Sequence, residues 1–287
     1  MLSYLHGFHA GNFADVQKHS ALWLIQSMMH SKASPIACFD SHAGSGDYDL
    51  TDERARKTRE AEGGIQKLWK HQPTLLNHPD WCGFLARLRE ALGGIERSES
   101  PLTRYPGSPQ WLACGLRSED RLTAFELHPT EQSVLKDWAA TWKENRVNVV
   151  TGDGFKGVVE ALPPREPRLL VLIDPPYEVR DDYLETASTV ERIWKKCRHA
   201  VVLIWYPILT KPAEQPLLNG LINTSVRKVL HCRLDLRKPP ERGMSGSGLL
   251  VLNPPWGFEE RFLSMMKVLG GKSVLDVNTS VQWLIPE

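Results

Sequence analysis

The sequence predicts an α/β protein of the doubly wound, Rossmann-like kind, with a sheet of about seven strands and a small helical subdomain inserted early. Three observations predict it. The run Arg168-Leu-Leu-Val-Leu-Ile is apolar throughout and stops at Asp174-Pro175-Pro176-Tyr177, as a buried parallel strand does on reaching the rim of a sheet. Four consecutive strand-like segments end in loops bearing Gly-x-Gly, Glu, Asp-Gly and Asp-Pro-Pro-Tyr, at the edge where open α/β sheets bind ligands. The second segment begins about 80 residues after the first glycine loop instead of about 20, which leaves on the order of 50–60 residues for an insert.

Composition narrows the classes. The 287 residues allow one large domain, or one domain with an insert, and 41% hydrophobic with 24% charged residues is ordinary for a soluble globular chain. A formal net charge of +1 neither demands nor excludes a nucleic-acid partner, so any basic surface must be local. Five scattered cysteines without a C-x-x-C pair argue against a disulfide framework and a structural zinc site. No apolar run is long enough to span a bilayer and the N-terminus lacks a signal pattern, so a cytoplasmic protein without a membrane partner is expected.

The leader crowds Tyr4, His6, His9, Asn12, Asp15, Lys18 and His19 into a short stretch. A helix is expected from Asn12 or Asp15 to about His30, with Val16, Leu22, Leu24 and Ile25 inward. Its start, with Lys18, suits an anion or a ligand carboxylate. His6 and His9 lack the i, i+4 helical spacing and a carboxylate cluster, so no metal is expected.

Ser34 to Asp40 reads as a short buried strand, followed by Ser41-His42-Ala43-Gly44-Ser45-Gly46. Glycines there let the backbone approach a ligand closely, but the sixth position is Asp49, which argues against a dinucleotide fingerprint. The inserted subdomain is placed at 51–104, leaving 1–50 and 105–287 as the main domain. Within it Ile65, Leu68 and Trp69 have helical spacing, and Trp81 to Gly93 is an amphipathic helix closed by glycines. Arg54, Arg56, Lys57 and Arg59 form either a solvated face or a grip on a phosphate backbone.

Ser108-Pro109 marks a helix start running to about Arg117, with Ser108 as N-cap and as ligand contact. The strand Arg121 to Pro129 carries Glu126, a carboxylate suited to two ribose hydroxyls. A helix over Thr130 to Asn145 leads to the strand Arg146–Phe155, where Asp153 serves as an Asx turn or meets the amino edge of an adenine. After Asp174-Pro-Pro-Tyr177 come a helix over Asp182 to Arg198, the strand His199 to Pro207, a helix over Ala213 to Leu221 and the strand Val226 to Leu236. Arg237 to Gly248 is a basic loop, either a phosphate contact or a flexible hairpin. Gly248 to Asn253 closes a last, antiparallel strand pair. Asn253-Pro-Pro-Trp256 mimics a base-holding motif but is read as a structural turn. The carboxylate, stiff backbone and aromatic ring of Asp174-Pro-Pro-Tyr177 suit a planar base bearing an amino group.

Tyr4…His9-Ala-Gly-Asn12…Asp15…Lys18-His19, Asp40-Ser-His42-Ala-Gly-Ser-Gly46, Tyr105-Pro-Gly-Ser108-Pro, Glu126-Leu-His-Pro, Gly152-Asp153-Gly154-Phe and Asp174-Pro-Pro-Tyr177-Glu178 together resemble the RlmJ family of 23S ribosomal RNA adenine-N6 methyltransferases over nearly the whole length. The resemblance implies a methyltransferase sheet, S-adenosylmethionine as cofactor and one adenine of 23S ribosomal RNA as substrate. It implies cofactor contacts at Lys18, His19, His42, Ser108, Glu126, Asp153 and Gly154, an RNA contact at Tyr4, and catalytic Asp174; Tyr177 is the residue expected to stack on the base. A monomer without a metal is expected. A DNA adenine methyltransferase, a guanine-N2 or cytosine-N4 enzyme, and a catalytically silent RNA-binding protein are the rivals; a nicotinamide enzyme is disfavoured by the missing third glycine.

Overall fold

A computed structural model describes residues 4–94, 101–142 and 146–287. The main sheet has eight strands: β1 Ile36–Asp40, β2 Arg121–Glu126, β3 Val147–Thr151, β4 Arg168–Ile173, β5 Val201–Leu209, β6 Val229–Leu236, β7 Met244–Leu252 and β8 Val277–Ile285. Their order is β8-β6-β7-β5-β4-β1-β2-β3. β3 to β5 through β2, β1 and β4 are parallel; β7 runs antiparallel to β5 and β6, and β8 antiparallel to β6. The sheet exceeds the expected seven strands by β8, an edge strand.

Alternation along β4 builds two cores. Leu170 and Leu172 face the layer of the helices Phe13–Met29, Pro79–Ala91, Ser108–Cys114 and Phe258–Leu269, while Leu169, Val171 and Ile173 face Gly154–Glu160, Arg180–Lys196 and Gln215–Ile222. Burial on both faces explains why β4 reads as an unbroken apolar run. The leader helix starts where Asn12 accepts the Asp15 N–H, and it buries Val16, Leu22, Leu24 and Ile25 as expected.

Between β1 and Ser108 the chain leaves the sheet through a separate two-stranded ribbon, Asp47–Asp49 paired with Arg104–Pro106. Beyond the ribbon, among the described residues, lie four short helices and then the longer Pro79–Ala91, with Ile65, Leu68 and Trp69 buried. This segment docks on the leader: Glu60 accepts from His9 Nδ1 at 2.8 Å and from Asn12 Nδ2 at 2.9 Å, and the Ile65 N–H donates to the Gly11 carbonyl.

Three expectations are corrected. Ser108 is the first helical residue, not the cap: the extended residue before the helix is Gly107, and no side chain caps it. The helix after Glu126 ends at Ala139, and the expected stretch 143–145 lies outside the described residues, as does 95–100 of the insert. β7 begins at Met244, so the second half of the expected basic loop is strand. Asn253 follows antiparallel β7 and donates to the carbonyls of Arg198 and Ala200, before β5, which puts Asn253-Pro-Pro-Trp256 at the edge opposite Asp174.

Candidate active site

The loops after β1, β2, β3 and β4 meet in one cavity of about 220 Å³, which the leader also lines. Tyr4, Lys18, His19, His42, Ser108, Glu126, Asp153, Gly154 and Asp174 all line it. Tyr177 does not: it is buried, with its ring 4.5 Å from that of Tyr183 and its hydroxyl 3.5 Å from Thr186 Oγ1. Its φ of 52° is left-handed, a strained setting for an aromatic residue.

At the floor, Lys18 Nζ lies 2.6 Å from Asp174 Oδ2 and 2.9 Å from Asp15 Oδ1. Burial works against the ammonium, but Asp15 and Asp174 outweigh it and hold the Lys18 pKa above its ordinary value. Burial likewise opposes the Asp15 carboxylate, and His6 and Lys18 hold its pKa well below the usual range. His6 Nε2 bonds Asp15 Oδ2 at 2.9 Å, and His6 Nδ1 bonds the Tyr4 hydroxyl at 2.8 Å. Tyr4, His6, Asp15, Lys18 and Asp174 thus form one continuous hydrogen-bonded chain. Asp15 and His6 were present in the leader motif but had no assigned role. The signal for Asp15 was its spacing, Asn12-x-x-Asp15-x-x-Lys18, which sets all three on one helical face.

Glu126 stands at the tip of β2, where its two carboxylate oxygens accept from the Gly44 N–H at 2.8 Å and the His128 N–H at 2.7 Å. Burial raises its pKa against those bonds. Gly44 has φ +62°, and a Cβ there would strike the Tyr48 hydroxyl, so the loop needs glycine to come this close. Asp153 caps the helix Gly154–Glu160 by accepting from the Lys156 N–H. His42 opens onto the cavity deep in the cleft, with its ring 4.8 Å from Phe155; burial lowers its pKa to about 4, so it is neutral at pH 7.

Several buried polar side chains lack hydrogen-bond partners among the described residues, and two of them, His19 and Asp40, stand at or beside the cavity. His19 Nδ1 bonds the Tyr105 hydroxyl at 2.8 Å, while its buried Nε2 has none. Asp40, at the end of β1, is fully buried with neither carboxylate oxygen in hydrogen-bonding geometry; burial raises its pKa to about 7, and the nearby Ser108 hydroxyl offsets this only in part. Among the described residues no group of three or more His, Cys, Asp or Glu is placed to hold a metal ion, and no helix is long and apolar enough to cross a membrane.

The family model described as Ribosomal RNA large subunit methyltransferase D, RlmJ, matches residues 33–285. The Ribosomal RNA large subunit methyltransferase J of Haemophilus influenzae is 36% identical over 291 residues and that of Escherichia coli 35% over 290, each alignment spanning 100% of both chains. A crystal structure of a Legionella pneumophila protein, 31% identical, has a TM-score of 0.84 and covers 96% of this chain and 98% of its own.

Proposed function

The chain belongs to the ribosomal RNA large subunit methyltransferase family RlmJ, and on that premise we propose that it methylates N6 of one adenine in 23S ribosomal RNA with S-adenosylmethionine as donor. The observation that carries the reading is Asp174 at the tip of β4, tied to Lys18 through Oδ2 and sharing one cavity with Glu126.

The cavity fits the donor. The unpartnered Nε2 of His19 and the inward-facing carboxylate of Glu126 offer polar contacts to an amino-acid end and a ribose. His42, Ser108, Asp153 and Gly154 supply the remaining contacts, and Lys18 reaches the same space. When bound, S-adenosylmethionine supplies an electrophilic methyl group.

The target base leaves its stack at a cost of a few kcal/mol. Asp174 Oδ1 and the Pro175 carbonyl accept the two N6 hydrogens, which turns the nitrogen lone pair out of conjugation and toward the donor. Asp174 then takes the proton that N6 sheds. Two prolines hold these acceptors still, so orientation and fixed dipoles supply the acceleration. Tyr4 lines the entry. Tyr177 is buried against Tyr183 and Thr186 and braces the Asp-Pro-Pro turn from behind, so no stacking contact with the base is assigned to it.

Methyl transfer from radiolabelled donor to protein-free 23S ribosomal RNA, with duplex DNA in parallel, tests the reading. Digestion and mass analysis should give N6-methyladenine from the RNA alone. Asp174→Ala should abolish transfer and leave cofactor affinity, by calorimetry, within a few-fold. A product methylated elsewhere, or near-normal turnover by that variant, would overturn it.

A further inference from the structure

The mouth opens between two projecting walls. On one side β5 pairs with β4 only as far as Ile204, opposite Ile173, then continues to Leu209. Those residues carry it roughly 16 Å past the rim at about 3.3 Å each. β7 returns alongside from Met244, and β6 pairs with β7 out to Asp235. The blade stands next to the site: Trp205 Nε1 donates to Ser247 Oγ at 2.9 Å, and the Lys18 ammonium lies 5.6 Å from the Trp205 ring.

The blade's tip carries exposed Lys211, Lys238 and Arg242, and none of these holds an ion pair among the described residues. Glu241 is the acid among them; Arg237 is turned back to Asp276 and Asn278. Pro239 and Pro240 have no N–H to extend the ladder, which keeps the tip a loop. On the β1–β2 side stands the helix Glu53–Thr58, docked on the leader through Thr58 to the Phe8 carbonyl and 4.0 Å from Glu131 through Arg54. There Arg54 pairs with Asp52 and Arg59 with Glu62; exposed Arg56 and Lys57 hold no ion pair, Asp49 lies near Arg56, which opens onto an adjoining groove with Lys67 and Lys70, and the Lys57 ammonium lies 5.9 Å from the Phe8 ring.

On a chain of net charge +1 these are local cation clusters, one on the blade beside β4 and one on the helix docked against the leader that lines the cavity. An extruded base leaves its neighbouring phosphates outside the mouth on both sides. We propose that Lys211, Lys238 and Arg242 bind the RNA backbone on one side of the target adenine and that Arg56 and Lys57 bind it on the other, so that the two walls clamp the strand. This rests on the methyltransferase reading above and assigns the surfaces that hold its substrate.

The test is equilibrium binding of a protein-free hairpin of 23S ribosomal RNA, followed by anisotropy across a salt series. K238A/R242A should weaken binding about tenfold at physiological salt and lower the slope of log K against log salt by roughly 1.5–2. R56A/K57A should act in the same direction. Single-turnover methylation at saturating RNA and cofactor affinity should stay at wild-type values in both. Unchanged affinity and slope in K238A/R242A would overturn the clamp. Wild-type protein that binds RNA with the full salt slope yet never methylates it would instead overturn the reading of the site.

Discussion

Asp15 is the residue on which the catalytic floor turns. It sits 2% exposed between His6 and Lys18, and Lys18 in turn holds Asp174. Neutralising it in Asp15→Asn leaves the buried Lys18 ammonium with Asp174 as its remaining carboxylate. Removing one partner of a buried ion pair costs about 3–5 kcal/mol, because the other charge stays desolvated. Urea unfolding should therefore show a loss of at least about 3 kcal/mol. Methyl transfer by the folded fraction should fall tenfold or more, because Lys18 then presses on Asp174 alone. A loss below about 1 kcal/mol would mean that solvent screens the group as it does a surface pair. The sequence displayed Asn12, Asp15 and Lys18 on one helical face, but a bond spanning 156 residues from Lys18 to Asp174 is a property of the assembled fold.

Among the elements, the helix Gly154–Glu160 fixes how closely the β1 and β3 loops approach. A Cβ on Gly154 would run into the Ser41 carbonyl oxygen, and neither backbone can yield cheaply. Gly154→Ala should destabilise by about 1–3 kcal/mol, the usual cost of overpacking, and should weaken cofactor binding by widening the loops. Thermal unfolding with and without donor measures both; an unchanged donor-induced shift in Tm would separate the helix position from the site. The elements also differ in how openly the sequence declared them. β4 was plain because both of its faces are buried. β8 was missed because it is an edge strand whose Asn278, Gln282 and Trp283 are exposed, leaving no apolar run. Ser108 was mistaken for a cap because Ser-Pro is a strong local signal, yet Gly107 already takes the extended cap conformation. Tyr177 was placed against the base from its motif, and no local pattern could reveal that Tyr183 and Thr186 draw it inward.

Over the whole molecule, strand order does what no single motif can: with β4-β1-β2-β3 parallel and adjacent, their carboxyl ends gather four loops at one edge, and antiparallel β7 sends the look-alike Asn253-Pro-Pro-Trp256 to the other. Gathering those loops also buries Asp40, and global stability carries the consequence. Its pKa rises from the ordinary 3.8 to about 7, so the folded state prefers the protonated form. A raised folded value gives stability that is complete below 3.8 and is lost as pH climbs through about 7, a total of about 4 kcal/mol at 1.36 kcal/mol per unit. His42 works in the opposite sense: its folded value is lowered from 6.5 to about 4, so its contribution is complete above 6.5 and is lost as pH falls through about 4. Between pH 4 and 6.5 the two slopes oppose each other and mask one another in the wild type. The difference between Asp40→Asn and wild type isolates the carboxyl group, since His42 and every other group cancel. Urea unfolding at pH 4.5, 5.5 and 6.5 should show that difference moving in the variant's favour by about 1.4 kcal/mol per pH unit, whatever constant offset the amide introduces. A difference that stays flat across those three pH values would mean that Asp40 is ionised throughout, with a partner satisfying its carboxylate within the cleft.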